Sequence, residues 1–145
     1  MERGQPLLLT RTCIEPMRSM RAVIWHHYAP MRVFALSDVH ADYEANARWL
    51  AELSTEDYRD DVLVLAGDVS DSLDTLEATL RVLARRFDTV AYVPGNHDLW
   101  VRGDAARTSM EKFAAVHAVA AGCGVATAPV HREKLSIVPL LGWYD

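Results

Sequence analysis

Apolar positions fall into three short continuous runs, at Arg32-Val-Phe-Ala-Leu-Ser37, Asp61-Val-Leu-Val-Leu-Ala66 and Thr89-Val-Ala-Tyr-Val93. Each ends in Gly, Pro, Asp or Asn, which fits strands covered on both faces of a parallel or mixed sheet. The spacing changes between them. Glu44 to Leu53 reads as a helix, and Ser72 to Phe87 more clearly so, because Leu73, Leu76, Leu80, Leu83 and Phe87 recur as one stripe. Asp71 or Ser72 can cap the start of that helix, and Arg85 and Arg86 complement its dipole at the end. A third helix is expected from Ala105 to Ala121, with Met110, Phe113, His117 and Ala120 on one face and Gly122 ending it. Two short strands follow, Val125 to Ala128 and Ser136 to Leu141. The order β-α-β-α-β-α-β-β predicts a layered α/β domain.

Composition narrows this picture. The chain has 145 residues, 50% hydrophobic and 24% charged, enough for one domain that buries roughly two-thirds of its unfolded surface. No apolar run approaches the roughly 18 to 20 residues of a membrane span. A net charge of −5 argues against a broad nucleic-acid-binding surface. Cys13 and Cys123 form neither a disulfide framework nor a C-x-x-C pair, so they read as two thiols in a reducing compartment. Residues 1–30 carry Arg3, Arg11, Arg18 and Arg21 against Glu2 and Glu15, a balance of +2, whereas residues 31–145 carry −7. This stretch is read as a disordered N-terminal extension ahead of a domain at 31–145, with Met17, Met20 and Met31 as internal start positions. The expected location is cytoplasmic, or an organelle if the arginine-rich stretch is a transit peptide.

The chemistry lies where the strands end. In open α/β sheets ligands bind outside the carboxyl ends of the strands, and there the sequence places Asp38-Val-His40, Gly67-Asp68-Val-Ser-Asp71 and Gly95-Asn96-His97-Asp98. Carboxylates together with imidazoles suit borderline divalent ions such as zinc, manganese, iron or nickel. The i, i+2 spacing of Asp38 and His40 aims both side chains one way if that segment stays extended. Asp68 can bridge two ions, and two ions roughly 3.5–4 Å apart clamp a phosphate and lower the pKa of a water between them. His97, beside a metal-binding Asn96, is placed to protonate a leaving oxygen, with Asp71 as its orienter.

These three motifs, in order and at this spacing, resemble the calcineurin-like metallophosphoesterase family, whose pattern is D-x-H, G-D-x-x-D and G-N-H-[DE]. The resemblance covers about residues 31–145. It implies that Asp38 and His40 bind the first of two divalent ions, that Asp68 bridges and that Asn96 binds the second. His97 would be the catalytic histidine, paired with Asp71, and Asn96, His97 and Arg102 would contact a phosphate-ester substrate. The implied fold is a two-sheet β-sandwich flanked by helices, and the implied activity is hydrolysis of phosphate mono- or diesters. The family's further G-H and G-H-x-H motifs do not occur in this sequence. The chain is therefore expected to carry the N-terminal part of the domain, as a fragment of an active enzyme. The alternative is a truncated or degenerate member that only binds metal or a partner. Ser72-Leu73 follows Asp71 where protein Ser/Thr phosphatases carry Arg-Gly, which argues against that subgroup. Residues 95–102 and 137–145 look similar to a branch of the family found in plants and algae.

Blander readings attach to the same residues. Singly, Asp38, Asp68 and Asn96 are ordinary turn or cap residues, and only their combination with His40 and His97 points to a metal centre. His117 reads as a packing residue, while His26, His27 and His131 read as solvated. Trp49 and Trp143 read as packing, and Trp100 as packing or a wall of the site. Gly122-Cys-Gly124 reads as a turn. Arg81, Arg85 and Arg86 read as a solvated face, and Arg107, like Arg102, could meet a substrate phosphate.

Overall fold

β3 (Val62–Ala66) runs between two parallel neighbours, β2 (Arg32–Leu36) and β4 (Thr89–Val93). Val33 through Leu36 pair with Val62 through Leu65, and Val62 through Ala66 pair with Thr89 through Val93. Leu63, Leu65, Val90 and Tyr92 share one face and are buried, whereas on the opposite face Val62 and Ala91 are buried but Val64 is half-buried and Ala66 exposed. Among the described residues the sheet is thus fully covered on one face and not on both, where the apolar runs predict cover on each. The computed structural model describes Trp25–His26 and residues 31–102, 105–132 and 135–142. Trp25–His26 forms β1, which pairs antiparallel with β2, so the sheet reaches back into the stretch read as an extension. Cys13 and Trp143 lie outside the described residues.

Because β2, β3 and β4 follow one another across the sheet, right-handed crossovers place the intervening helices on one face. α1 (Glu44–Glu52) packs beside α2 (Leu73–Ala84), and α2 beside α3 (Ser109–Gly122). Leu50, Leu76, Leu80, Leu83, Val116 and Ala120 close the core over Leu63, Leu65, Val90 and Tyr92. The leucine stripe of α2 is thus buried as its spacing predicts. Its cap is Ser72, whose hydroxyl accepts from the Thr75 amide at 3.3 Å. At the other end of the sheet, the buried Asp61 carboxylate takes the Arg32 amide at 2.7 Å and its guanidinium at 2.6 Å. Arg32 also donates to the Asp57 carbonyl, and Phe34, Tyr58 and Phe87 pack edge-on and stacked beneath it.

Two further sequence expectations are corrected here. α3 begins at Ser109, because the Thr108 hydroxyl accepts the Glu111 amide at 3.1 Å and Glu111 accepts the Arg107 amide at 2.7 Å. Its buried line is Lys112, Val116 and Ala120, rotated from the face read off the sequence, and Met110 is 74% exposed. The helix is so rich in alanine and valine that apolar spacing alone does not pick out a side. His117 is a packing residue, tilted against Phe113 with ring centroids 4.2 Å apart.

The second correction concerns the last strands. Of Val125 to Ala128, only Ala126 joins the sheet, as a parallel bridge to Ala91. Gly124, at φ +73°, turns the chain out of α3 and delivers that residue to the edge of β4. Pro129 lacks the amide needed to continue pairing. The chain then forms a separate antiparallel pair, β5 (Val130–Arg132) and β6 (Leu135–Ile137).

Candidate metal centre

The loops leaving β2, β3 and β4 meet at the carboxyl edge of the parallel sheet. Asp38, His40 and Asp68 each offer a ligand atom, and these atoms all lie within 4.8 Å of one another. The mechanism differs from the sequence expectation. The D-x-H segment is not extended: Asp38 and His40 have φ of 54° and 42°, and Asp68 has φ of 53°. Asp and His enter this left-handed region more readily than most residues, and such conformations persist where the surroundings over-determine them.

Those surroundings are visible. The His40 and Ala41 amides donate to the Asp68 and Val69 carbonyls at 2.9 and 2.8 Å, which laces the first loop to the second. Asn46, from the first turn of α1, donates its side-chain amide to the Val39 and His40 carbonyls. Ser70 donates its hydroxyl to Asp42 at 2.6 Å.

The second and third loops approach so closely that only glycine fits. A Cβ on Gly67 would lie 2.2 Å from the Gly95 nitrogen, and one on Gly95 would lie 2.3 Å from an Asp68 carboxylate oxygen. Asp98 fills the space behind them. Its fully buried carboxylate accepts the amides of Asp68, Val69, Ser70 and Gly95 at 2.8–3.0 Å and the Tyr92 hydroxyl at 2.8 Å. Burial pushes the Asp98 carboxyl up, against the pull of these donors. Burial, reinforced by Asp98, raises the Tyr92 phenol far above its ordinary value. The sequence offered one signal for Asp98, its place in the third motif, but none for its role.

His97 opens a short 3-10 turn, His97–Leu99, and its amide donates to Asp68 at 2.9 Å. Its half-buried ring stands edge-on to His40 at 4.8 Å and lies against Trp100 at 3.6 Å. Trp100 is therefore a wall of the site. The Arg102 guanidinium lies over Trp100, 4.1 Å from the ring centroid. Asn96 is exposed at the head of the turn.

Asp71 departs from expectation. No hydrogen bond joins it to His97 among the described residues; its carboxylate instead faces Arg102 at 3.8 Å. Its main-chain carbonyl accepts from Lys112 at 2.5 Å. Lys112 is another residue that the sequence left unmarked, because a lone lysine on a helix reads as a solvated one. Arg107 has an exposed side chain, and its amide bonds to Glu111.

Two carboxylates and an imidazole converging at strand ends, with a second imidazole beside them, suit a borderline divalent ion. The arrangement is that of an α/β domain with a candidate metal centre at the carboxyl edge of its sheet. Residues 31–137 match the model of the calcineurin-like phosphoesterase family, and the chain belongs to that family. Over 68 residues it is 41% identical to the [acyl-carrier-protein] phosphodiesterase PptH of Mycobacterium tuberculosis, a match covering 47% of this chain and 21% of the relative. The crystal structure of phosphopantetheinyl hydrolase (PptH) from the same organism superposes with a TM-score of 0.58 at 30% identity, covering 66% of this chain and 34% of that one. The chain thus spans about a third or less of the length of the relatives it matches. The fold is that of the metallophosphoesterases, and no helix among the described residues is long and apolar enough to cross a membrane.

Proposed function

We propose that the chain hydrolyses phosphate mono- or diesters with two divalent ions, of manganese, iron or zinc, held by Asp38, His40, Asp68 and Asn96. The observation that carries this reading is the convergence of the Asp38, His40 and Asp68 ligand atoms beside the His97 ring. When bound, such ions neutralise charge on a phosphoryl group and supply a nucleophile from water at neutral pH. The chain's own residues do the rest. Asp68 would be the carboxylate shared by the ions, and one of its oxygens is steadied by the His97 amide. His97, backed by Trp100, gives a proton to the leaving oxygen. Arg102, stacked on Trp100 and facing Asp71 at 3.8 Å, meets an outer phosphate oxygen with its exposed guanidinium.

Between the two ester classes a diester is favoured, because the mycobacterial relative is named a phosphodiesterase and a phosphopantetheinyl hydrolase. The test loads the chain with Mn²⁺ and follows cleavage of an aryl phosphate and a diaryl phosphate. Turnover dependent on metal is expected, faster on the diester. Asp68→Asn should weaken Mn²⁺ binding by more than about tenfold and abolish turnover. Metal-independent turnover, or an Asp68→Asn protein that works normally, overturns the reading.

A further inference from the structure

Lysine is fully buried only where its ammonium is held, and Lys112 is 0% exposed. It projects from the first turn of α3, and its ammonium donates to the main-chain carbonyl of Asp71 at 2.5 Å. That bond spans 41 residues and falls on the last residue of the G-D-x-x-D motif, just before Ser72 caps α2. From Asp71 a run of contacts leads into the site. The carboxylate faces Arg102 at 3.8 Å, Arg102 lies 4.1 Å over Trp100, and Trp100 lies 3.6 Å from the His97 ring.

We propose that Lys112 is a positioning residue: by holding the Asp71 carbonyl it fixes the wall formed by Asp71, Arg102 and Trp100, and through that wall the imidazole of His97. This rests on the reading of His97 as the proton donor. A backbone bond suits the task. Asp71 sits where the loop becomes helix, and fixing its carbonyl also fixes the direction in which its side chain leaves the chain. The Ser72 cap holds the loop from one side only, through the first turn of α2. Lys112 ties it to a different helix, so the loop cannot rotate about the α2 axis without breaking the bond. The ammonium contributes as a charge as well. Asp71 and Asp98 both attract it, while burial draws it below the ordinary lysine value.

The test compares the wild-type chain with Lys112→Met, which removes donor and charge, and Lys112→Gln, which keeps a donor without the charge. Nuclear magnetic resonance follows the Trp100 indole and the His97 ring, assigned with Trp100→Phe and His97→Gln. Mn²⁺ affinity and steady-state cleavage of the diaryl phosphate are measured on the same samples. The expected result for Lys112→Met is displaced Trp100 and His97 resonances, unchanged Mn²⁺ affinity and kcat lowered about tenfold by misplacement of the proton donor. Lys112→Gln should fall between. A folded Lys112→Met protein with lowered thermal stability but unmoved Trp100 and His97 resonances overturns the proposal. Should Lys112→Met fail to fold, Lys112→Gln is read alone, and unmoved resonances there overturn it equally. If the wild-type chain shows no turnover, the catalytic reading fails, while the resonances still decide whether Lys112 sets the wall.

Discussion

Asp98 meets only donors: four backbone amides and one phenol converge on its two oxygens. An acceptor-only group is required, and this is why a carboxylate stands there despite its full burial. Asp98→Asn turns an NH₂ group toward those donors and leaves several amides unpaired, so stability should fall by about 3 kcal/mol or more in urea unfolding. The loss should be accompanied by weaker Mn²⁺ binding, because the same amides fix Asp68. The role was illegible in sequence for a simple reason. The motif puts Asp98 next to His97, but three of its partners lie 28 to 30 residues earlier, and proximity across that separation is a property of the sheet. The convergence of Asp38, His40 and Asp68 was legible, since their residue types and strand-end positions suffice to make them candidate ligands. Their left-handed backbones were not, because the hydrogen bonds that hold them come from a neighbouring loop.

At the scale of elements, the contrast between α2 and α3 is instructive. α2 carries leucines at regular steps among polar residues, so its buried side follows from spacing alone. α3 carries alanine and valine on nearly every side, and the neighbours it packs against choose which side is buried. The choice can be checked with two substitutions. Met110→Ser should change stability by no more than about 0.5 kcal/mol, as Met110 is exposed, whereas Val116→Ala should cost about 2 kcal/mol through a core cavity. Equal costs in thermal unfolding would mean that the face is misassigned. The same logic explains the final strands. β5 (Val-His-Arg) and β6 (Leu-Ser-Ile) have three residues each, so their period-2 signal is too short to read.

For the whole molecule, the separate β5–β6 pair is moored to the main sheet by Arg132, which donates to Asp88 at 3.0 Å and to the Thr89 hydroxyl at 2.5 Å. The Thr89 hydroxyl, then Arg132, hold the Asp88 carboxyl below its ordinary value of 3.8. A carboxyl lowered in the folded state stabilises above its unfolded value, and that contribution is lost as pH falls through the folded one. Stability followed by circular dichroism should therefore decline below about pH 3.8 partly through Asp88. Asp88→Asn should make that acid limb shallower while lowering stability slightly at neutral pH, since the group is exposed. An acid limb of unchanged slope would remove Asp88 from the account.

The sequence by itself determined the alternation of three parallel strands with three helices, the core of α2, and which residue types gather at the carboxyl ends of those strands. Those follow from local periodicity and from the rule that parallel strands deliver their ends to one edge. Only the tertiary structure decided how the donors are aimed. The approach of Gly67 and Gly95, the amide cluster around Asp98, the turn of Asp71 toward Arg102 and the burial of Lys112 each depend on contacts between segments far apart in the chain. Such contacts leave no period in the sequence, because each is made once, by one residue, against a partner that folding alone brings within reach.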